Sequence, residues 1–297
     1  MRRIYFSLII FFAPVTFAFS QLKTIKIADA EIHFIDKGTG EVIIFVHGGM
    51  EDYRTWDYQI DSFSKKYRVI TYSRRFNYPN HNTKEIKKFS AETEAKDLAR
   101  LIVQLKVQPV HLVGHSFGAV VALSLAIRHP QLVQSLTLSE PPMISWLPGL
   151  DGGKQLYDDF YNSFMKPVKQ DFEQQDTIAV LRHTLIYFYG SDLSTELHEE
   201  DRTQLIANFP EWRAITYSTN AFPLIRKEKV ANLKMPVLLL SAGKTMSVLK
   251  VTNAELKRLL PKAQHFQLAE GTHDYWITNP KQMGNALINF LQTVLKN

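Results

Sequence analysis

Val110-His-Leu-Val-Gly-His-Ser-Phe-Gly-Ala-Val-Val-Ala-Leu-Ser-Leu-Ala-Ile-Arg-His129 is the stretch that decides the fold. Residues 110–114 form an apolar run of strand length, and residues 119–129 read as a helix of small and apolar side chains. Between them Gly114-His-Ser-Phe-Gly118 matches G-x-S-x-G. The pentapeptide alone arises often by chance. A buried strand entering it and a small-residue helix leaving it make the signal specific, because a sharp, strained turn there lifts the serine hydroxyl above the sheet edge. Side chains two residues to either side would collide, so glycine fits at 114 and 118. The helix N-terminus that follows favours negative charge developing at the serine. The plain alternative is a tight turn with an idle serine.

Working outward, Thr24–Ala30 and Glu31–Gly38 alternate apolar and polar residues and read as a hairpin. Apolar runs then recur at 42–46, 68–73, 110–114, 135–139, 237–241 and 265–269, separated by helical stretches. Strands apolar on both faces and spaced by helices predict a mostly parallel sheet covered on each side. From Pro141 to about Val230 that rhythm stops, and aromatics such as Trp146, Phe160, Phe164, Tyr187, Trp212 and Phe222 accumulate. A structureless loop of that length does not suit a compact domain, so the stretch reads as a helical insertion. Its aromatics read first as the insertion's own core. Near the C-terminus, Asn279 and Pro280 start a helix whose apolar face is Met283, Ala286, Leu287, Phe290, Leu291 and Val294.

The chain of 297 residues is 45% hydrophobic, enough to bury a full core. Residues 1–20 combine Arg2 and Arg3, an apolar run from Ile4 to Phe19 and small residues before Gln21, the pattern of a cleaved export signal. The run is short for a membrane span, so an anchor is the lesser reading. There is no cysteine, hence no disulfide, thiolate nucleophile or cysteine metal site. The formal charge of +6, two units of it from Arg2 and Arg3, is modest and gives no footprint for nucleic acid. Arg74-Arg75 and the Lys84, Lys87, Lys88 run read as solvated surface.

A serine hydroxyl needs a base to take its proton. His273, in Glu270-Gly-Thr-His-Asp-Tyr-Trp276, follows the last predicted strand and so falls at the same sheet edge as Ser116. His115 is expected to point away from the turn, His47 to order its own loop, and His111 to lie within a strand. A tetrahedral intermediate needs backbone donors. The amide after the serine, Phe117, is one. His47-Gly-Gly-Met50 offers the other, with Gly49 preferred and Met50 as the fallback.

These motifs, Val46-His-Gly-Gly49, Gly114–Gly118 and Gly271–Trp276, resemble the lid-bearing α/β-hydrolases from about Thr24 to the C-terminus. The resemblance implies an eight-stranded, mostly parallel sheet with helices on both faces, a core at 21–140 and 231–297, and a helical lid at 141–230. It implies chain order serine, acid, histidine. The commoner family site for the acid follows the seventh strand as G-x-x-D, and that frame here reads Gly243-Lys-Thr-Met246, which is apolar. The second site follows the sixth strand, as in haloalkane dehalogenase-like members, and there stands Glu140. Its rivals are Asp274, beside the histidine, Glu270, and Asp97, which with Glu94 reads as a solvated helix face.

The expectation is therefore a serine hydrolase with Ser116, His273 and Glu140 as triad, acting on an ester-type bond of a small or medium, partly apolar molecule without cofactor or metal. A carbon–carbon bond hydrolase or perhydrolase with the same triad is the runner-up. A binding protein on the same scaffold is the alternative of another class. Alkyl-enzyme chemistry is disfavoured, because those relatives carry aspartate where this chain has Ser116. No nucleic acid and no membrane span after cleavage are expected, and the sequence is silent on oligomeric state.

Overall fold

The computed structural model describes residues 21–82 and 89–295. The leader and Lys84, Lys87 and Lys88 lie outside the described residues. Eight strands form one sheet: β1 (Lys23–Ile27), β2 (Ala30–Lys37), β3 (Val42–Val46), β4 (Arg68–Tyr72), β5 (Val110–His115), β6 (Val133–Ser139), β7 (Val237–Ala242) and β8 (Gln264–Leu268). Their spatial order is β1-β2-β4-β3-β5-β6-β7-β8. The β1–β2 hairpin and the β2–β4 pair are antiparallel, and every later pair is parallel. Each apolar run of the sequence thus becomes a strand.

The sheet is buried on both faces because neighbouring residues of each central strand feed opposite cores. Ile44 and Val46 of β3 face a core shared with α2 (Ala91–Leu105) and α3 (Phe117–Arg128). Ile43 and Phe45 face the other, with Phe63 of the short helix α1 (Asp57–Phe63) and with Met283, Leu287 and Phe290 of the C-terminal helix Pro280–Val294. There the rings of Phe45, Trp56 and Trp276 meet at centroid distances of 4.8 to 6.3 Å. The C-terminal helix buries the expected face, but Asn279 makes no side-chain cap; its Nδ2 donates to Gln282 Oε1 instead.

Two expectations about charge are overturned. Arg74 and Arg75 are buried, and so are Glu94 and Asp97 of α2. Arg75 donates to both Asp97 oxygens at 2.7 and 2.9 Å, and its amide donates to Glu94 Oε2 at 3.3 Å. A guanidinium matched to a carboxylate in this fork geometry is tolerated in the interior, whereas either charge alone is costly. These residues tie the loop after β4 to α2, and none is a solvated face.

Between β6 and β7 the chain leaves the sheet as a run of helices, the insertion. They include α4 (Gly153–Asp159), α5 (Lys166–Glu173), α6 (Thr177–Tyr189), α7 (Glu199–Ala207) and α8 (Phe209–Tyr217). A π-helical segment, Phe160–Met165, joins α4 to α5. The insertion aromatics are only partly its own core: Phe160, Phe164, Tyr187, Phe188, Tyr189, Trp212 and Phe222 line a cavity above the strand ends.

Candidate active site

Sheet register brings the site together. His115 pairs with Ser139 across β5 and β6, and Ser139 with Leu240 across β6 and β7. Ser116 and Glu140 therefore leave adjacent strands at the same level. Both backbones turn sharply: Ser116 has φ 52° and Glu140 φ 50°, values that non-glycine residues hold only when their surroundings impose them. The Ser116 amide donates to Ser139 O at 2.8 Å, and the Glu140 amide to Leu240 O at 3.2 Å.

The flanking glycines are needed for room. A Cβ on Gly114 would lie 2.6 Å from Gly118 O and from the Ala119 Cα. On Gly118 it would lie 2.3 Å from His47 O and 2.4 Å from Val46 O. The turn is thus pressed against β3, which puts the His47–Met50 loop beside the serine.

Ser116 Oγ lies 2.9 Å from His273 Nε2, and His273 Nδ1 lies 2.7 Å from Glu140 Oε2. Glu140 is fully buried, and its carboxylate also accepts from the Ala242 amide (2.9 Å) and Thr245 Oγ1 (3.0 Å). A carboxylate only accepts, so Nδ1 carries the proton and Nε2 is left to accept from the serine hydroxyl. The rival acids are elsewhere. Asp274 accepts from the Thr272 hydroxyl, Glu270 pairs with Lys244 on the surface, and Asp97 pairs with Arg75.

His115 departs from expectation. Its ring does not point away but packs 4.7 Å from that of His273. Its Nδ1 is engaged with Ser139 Oγ at 3.2 Å, and burial, then the neighbouring His273, holds its pKa well below the ordinary value. His47 orders its loop as expected: Nδ1 donates to Gly48 O at 2.8 Å and Nε2 accepts from the Arg74 amide at 3.0 Å. His111 lies within β5, with Nδ1 2.8 Å from Ser135 Oγ.

The amides of the glycine loop separate the two oxyanion candidates. Gly48 N–H donates to Glu51 Oε2 at 2.8 Å and Met50 N–H to Glu211 Oε2 at 2.9 Å. Those of Gly49 and Phe117 are engaged by no protein acceptor among the described residues. Met50 is thus spoken for, and Gly49 is the loop donor that remains. Burial raises Glu51 to about 7, against the Gly48 amide, which favours its charged form.

Ser116, Phe117, Gly49, Glu51 and His273 all border the cavity, whose volume is about 760 Å³. Most of its lining is apolar, Phe160, Phe164, Trp212 and Phe222 included. Phe188 stacks nearly parallel on the His273 ring at 6.3 Å. Thr245, Glu51 and Glu211 have no role in the sequence reading, and Arg74 is read there as solvated surface. Thr245 finds Glu140 at a separation of 105 residues and Glu211 finds Met50 at 161, and no local pattern marks such pairs; Glu51 instead bonds the Gly48 amide three residues back.

A family model described as the alpha/beta hydrolase fold matches residues 41–280. YraK of Bacillus subtilis (strain 168), an uncharacterized hydrolase, is 32% identical over 126 residues, spanning 42% of this chain and 46% of its own length. RutD of Pantoea ananatis (strain LMG 20103), provisionally named a carbamate hydrolase, is 26% identical over 272 residues, or 89% of this chain and 90% of that one. The crystal structure of the enol-lactonase from Burkholderia xenovorans LB400 has a TM-score of 0.70 at 16% identity, covering 91% of this chain and all of that one.

Proposed function

The chain belongs to the α/β-hydrolase fold family, and from that premise we propose that it is a serine hydrolase cleaving an ester-type acyl bond through an acyl-enzyme. The observation that carries the reading is the hydrogen-bonded line from Ser116 Oγ through His273 to Glu140. A scaffold that only binds has no need of a base paired to a strained serine.

In this reading Ser116 Oγ attacks the carbonyl carbon while His273 Nε2 takes its proton. Glu140 fixes the imidazole tautomer and supports the charge that develops on it. The oxyanion is held by the amides of Phe117 and Gly49, one at the N-terminus of α3 and one on the glycine loop. His273 then returns the proton to the leaving group, and a water repeats the sequence to release the acid. The insertion acts as the lid, with its aromatic wall around the acyl portion. That wall supports a small or medium, partly apolar substrate, the class for which largely apolar pockets of this size are built. The carbamate and the enol-lactone in the names of two relatives are both acyl compounds. Export through residues 1–20 belongs to the same proposal.

A fluorophosphonate probe tests it. Labelling of the wild type at Ser116, lost in Ser116→Ala with the circular dichroism spectrum unchanged, is the expected result. Full esterase activity in Ser116→Ala would sink the mechanism. Export is checked separately by sequencing the N-terminus of the mature protein, expected at Gln21.

A further inference from the structure

The glycine loop is fastened from the insertion side. Glu211, on α8, is fully buried and joins two groups: Oε1 accepts from Arg74 Nη2 at 2.7 Å, and Oε2 accepts from the Met50 amide at 2.9 Å. The same Arg74 Nη2 donates to Gly48 O at 2.8 Å, and Arg74 Nε donates to His47 O at 3.2 Å. Asn208, just before α8, donates to Asp52 Oδ2 at 2.8 Å. The ring of Trp212 lies where a Cβ on Gly49 would be 3.0 Å away.

We infer that Glu211 is a positioning residue for the oxyanion hole, holding the Gly49 amide in its orientation through Arg74 and Met50. The inference rests on the serine-hydrolase reading above. Its physical basis is the planar trans peptide, in which C=O and N–H point in opposite directions. The carbonyl of Gly48 and the amide of Gly49 share one such plane. Arg74 and His47 both grip that carbonyl, so they aim the Gly49 N–H the other way. The next plane carries the Met50 N–H, and Glu211 pins it. Gly48 and Gly49 have no Cβ to restrict their torsions, so these bonds do the restricting. Met50 itself sits at φ 57°, a strained value for its type, so its plane needs a partner to stay put.

The arrangement makes the geometry of the glycine loop depend on the insertion. Arg74 alone would place an unpaired buried charge at the loop, and Glu211 supplies its counter-charge from a different part of the chain. Displacing α8 releases the Met50 amide and loosens Arg74 in the same step.

The experiment compares phenethyl trifluoromethyl ketone, which Ser116 converts to a tetrahedral oxyanion, with the alcohol made by reducing it, which cannot form one. Glu211→Gln cannot accept from Arg74 and Met50 as the carboxylate does. Losing a whole oxyanion donor costs about 10²- to 10³-fold, so misaiming one is expected to raise the ketone Ki by about 10- to 100-fold. The alcohol Kd is expected to stay within about threefold, as binding that does not change along the reaction should. On p-nitrophenyl butyrate kcat falls by a similar factor and KM changes little. Asn208→Ala removes the bond from the insertion to Asp52, which keeps its pair with Arg54, and leaves the Met50 amide engaged; it is expected to lower Tm without the selective loss of ketone affinity. Equal weakening of ketone and alcohol in Glu211→Gln, or an unchanged ketone Ki, overturns the inference. If Glu211→Gln does not fold, Glu211→Asp decides. It keeps the charge but cannot span both partners, so a selective ketone loss of at least about fivefold supports the inference and wild-type behaviour overturns it. A wild type that takes up no ketone at all sinks the serine mechanism instead, which keeps the two failures apart.

Discussion

Thr245 and Glu140 meet across the ends of two neighbouring strands, with the Thr245 hydroxyl donating to Glu140 Oε2 at 3.0 Å. That is the oxygen facing His273 Nδ1. A hydrogen bond to a charged group contributes about 1.5–3 kcal/mol. Thr245→Val keeps the shape and removes the donor, so Glu140 is held by the Ala242 amide and the histidine alone. The expected result is a fall in kcat/KM of about tenfold with the fold intact. An unchanged rate would mean that the Ala242 bond suffices.

The backbone at Ser116 stores strain. Its φ of 52° with ψ of −125° falls where glycine alone is comfortable, a cost of about 1–3 kcal/mol for other residues. Ser116→Gly removes both the proposed nucleophile and the strain. The lost hydrogen bond to His273 is only partly buried, so strain relief dominates. Activity is expected to vanish while Tm rises by about 2 °C. A lower Tm by calorimetry would show that the turn is not strained in the way its torsions imply.

Burial pushes Glu94 up to about 7, and its Oε1 has no partner among the described groups. A carboxyl whose folded pKa lies above its unfolded value binds its proton more tightly when folded. Its contribution is fully present below the unfolded pKa near 4.5 and is lost as pH rises through about 7. Glu94→Gln stays neutral throughout. The variant is expected to gain on the wild type between pH 5 and pH 8, by on the order of 3 kcal/mol at most. Denaturant melts at the two pH values check it, and a gap that does not widen refutes the assignment. Glu51 titrates over the same window and leaves the variant with a residual slope of the same sign.

The strands were legible because a parallel sheet buried on both faces writes itself as short apolar runs, as at 42–46 and 110–114. The site order was legible because the serine turn, the histidine loop and Glu140 all follow strand ends. The charged residues were not. Arg75 finds Asp97 at a separation of 22 residues and Arg74 finds Glu211 at 137, so their burial depends on partners that no local window contains. Composition gives charge a solvent prior, and only the folded pairing reverses it. His115 was misjudged for a related reason. Strand alternation places a side chain on a face, but it does not tell which ring from another loop will lie against it.

Glu140→Gln keeps the side-chain shape but leaves His273 with a weaker partner for its Nδ1 proton. Loss of the triad acid costs on the order of 10⁴-fold in serine proteases, so a loss of about 10²- to 10⁴-fold is expected here. The sequence frame Gly243-Lys-Thr-Met246 points to Met246 as the place for a substitute carboxylate. The geometry points one residue earlier. Thr245 and Met246 both line the cavity, but it is Thr245 that touches the oxygen serving the histidine. Thr245→Asp would put its carboxyl carbon about where the threonine hydroxyl stands, with its oxygens one bond further out. Glu140→Gln with Thr245→Asp is therefore expected to recover part of the lost rate, about tenfold, and to exceed Glu140→Gln with Met246→Asp. Thr245→Asp alone sets two carboxylates against each other and is expected to lose activity rather than gain it. A double-mutant cycle on kcat/KM measures the coupling. Near-full activity in Glu140→Gln would remove Glu140 from the triad. Recovery by Met246→Asp but not by Thr245→Asp would show that the loop after β7 can re-aim its 246 side chain away from the cavity and towards the imidazole.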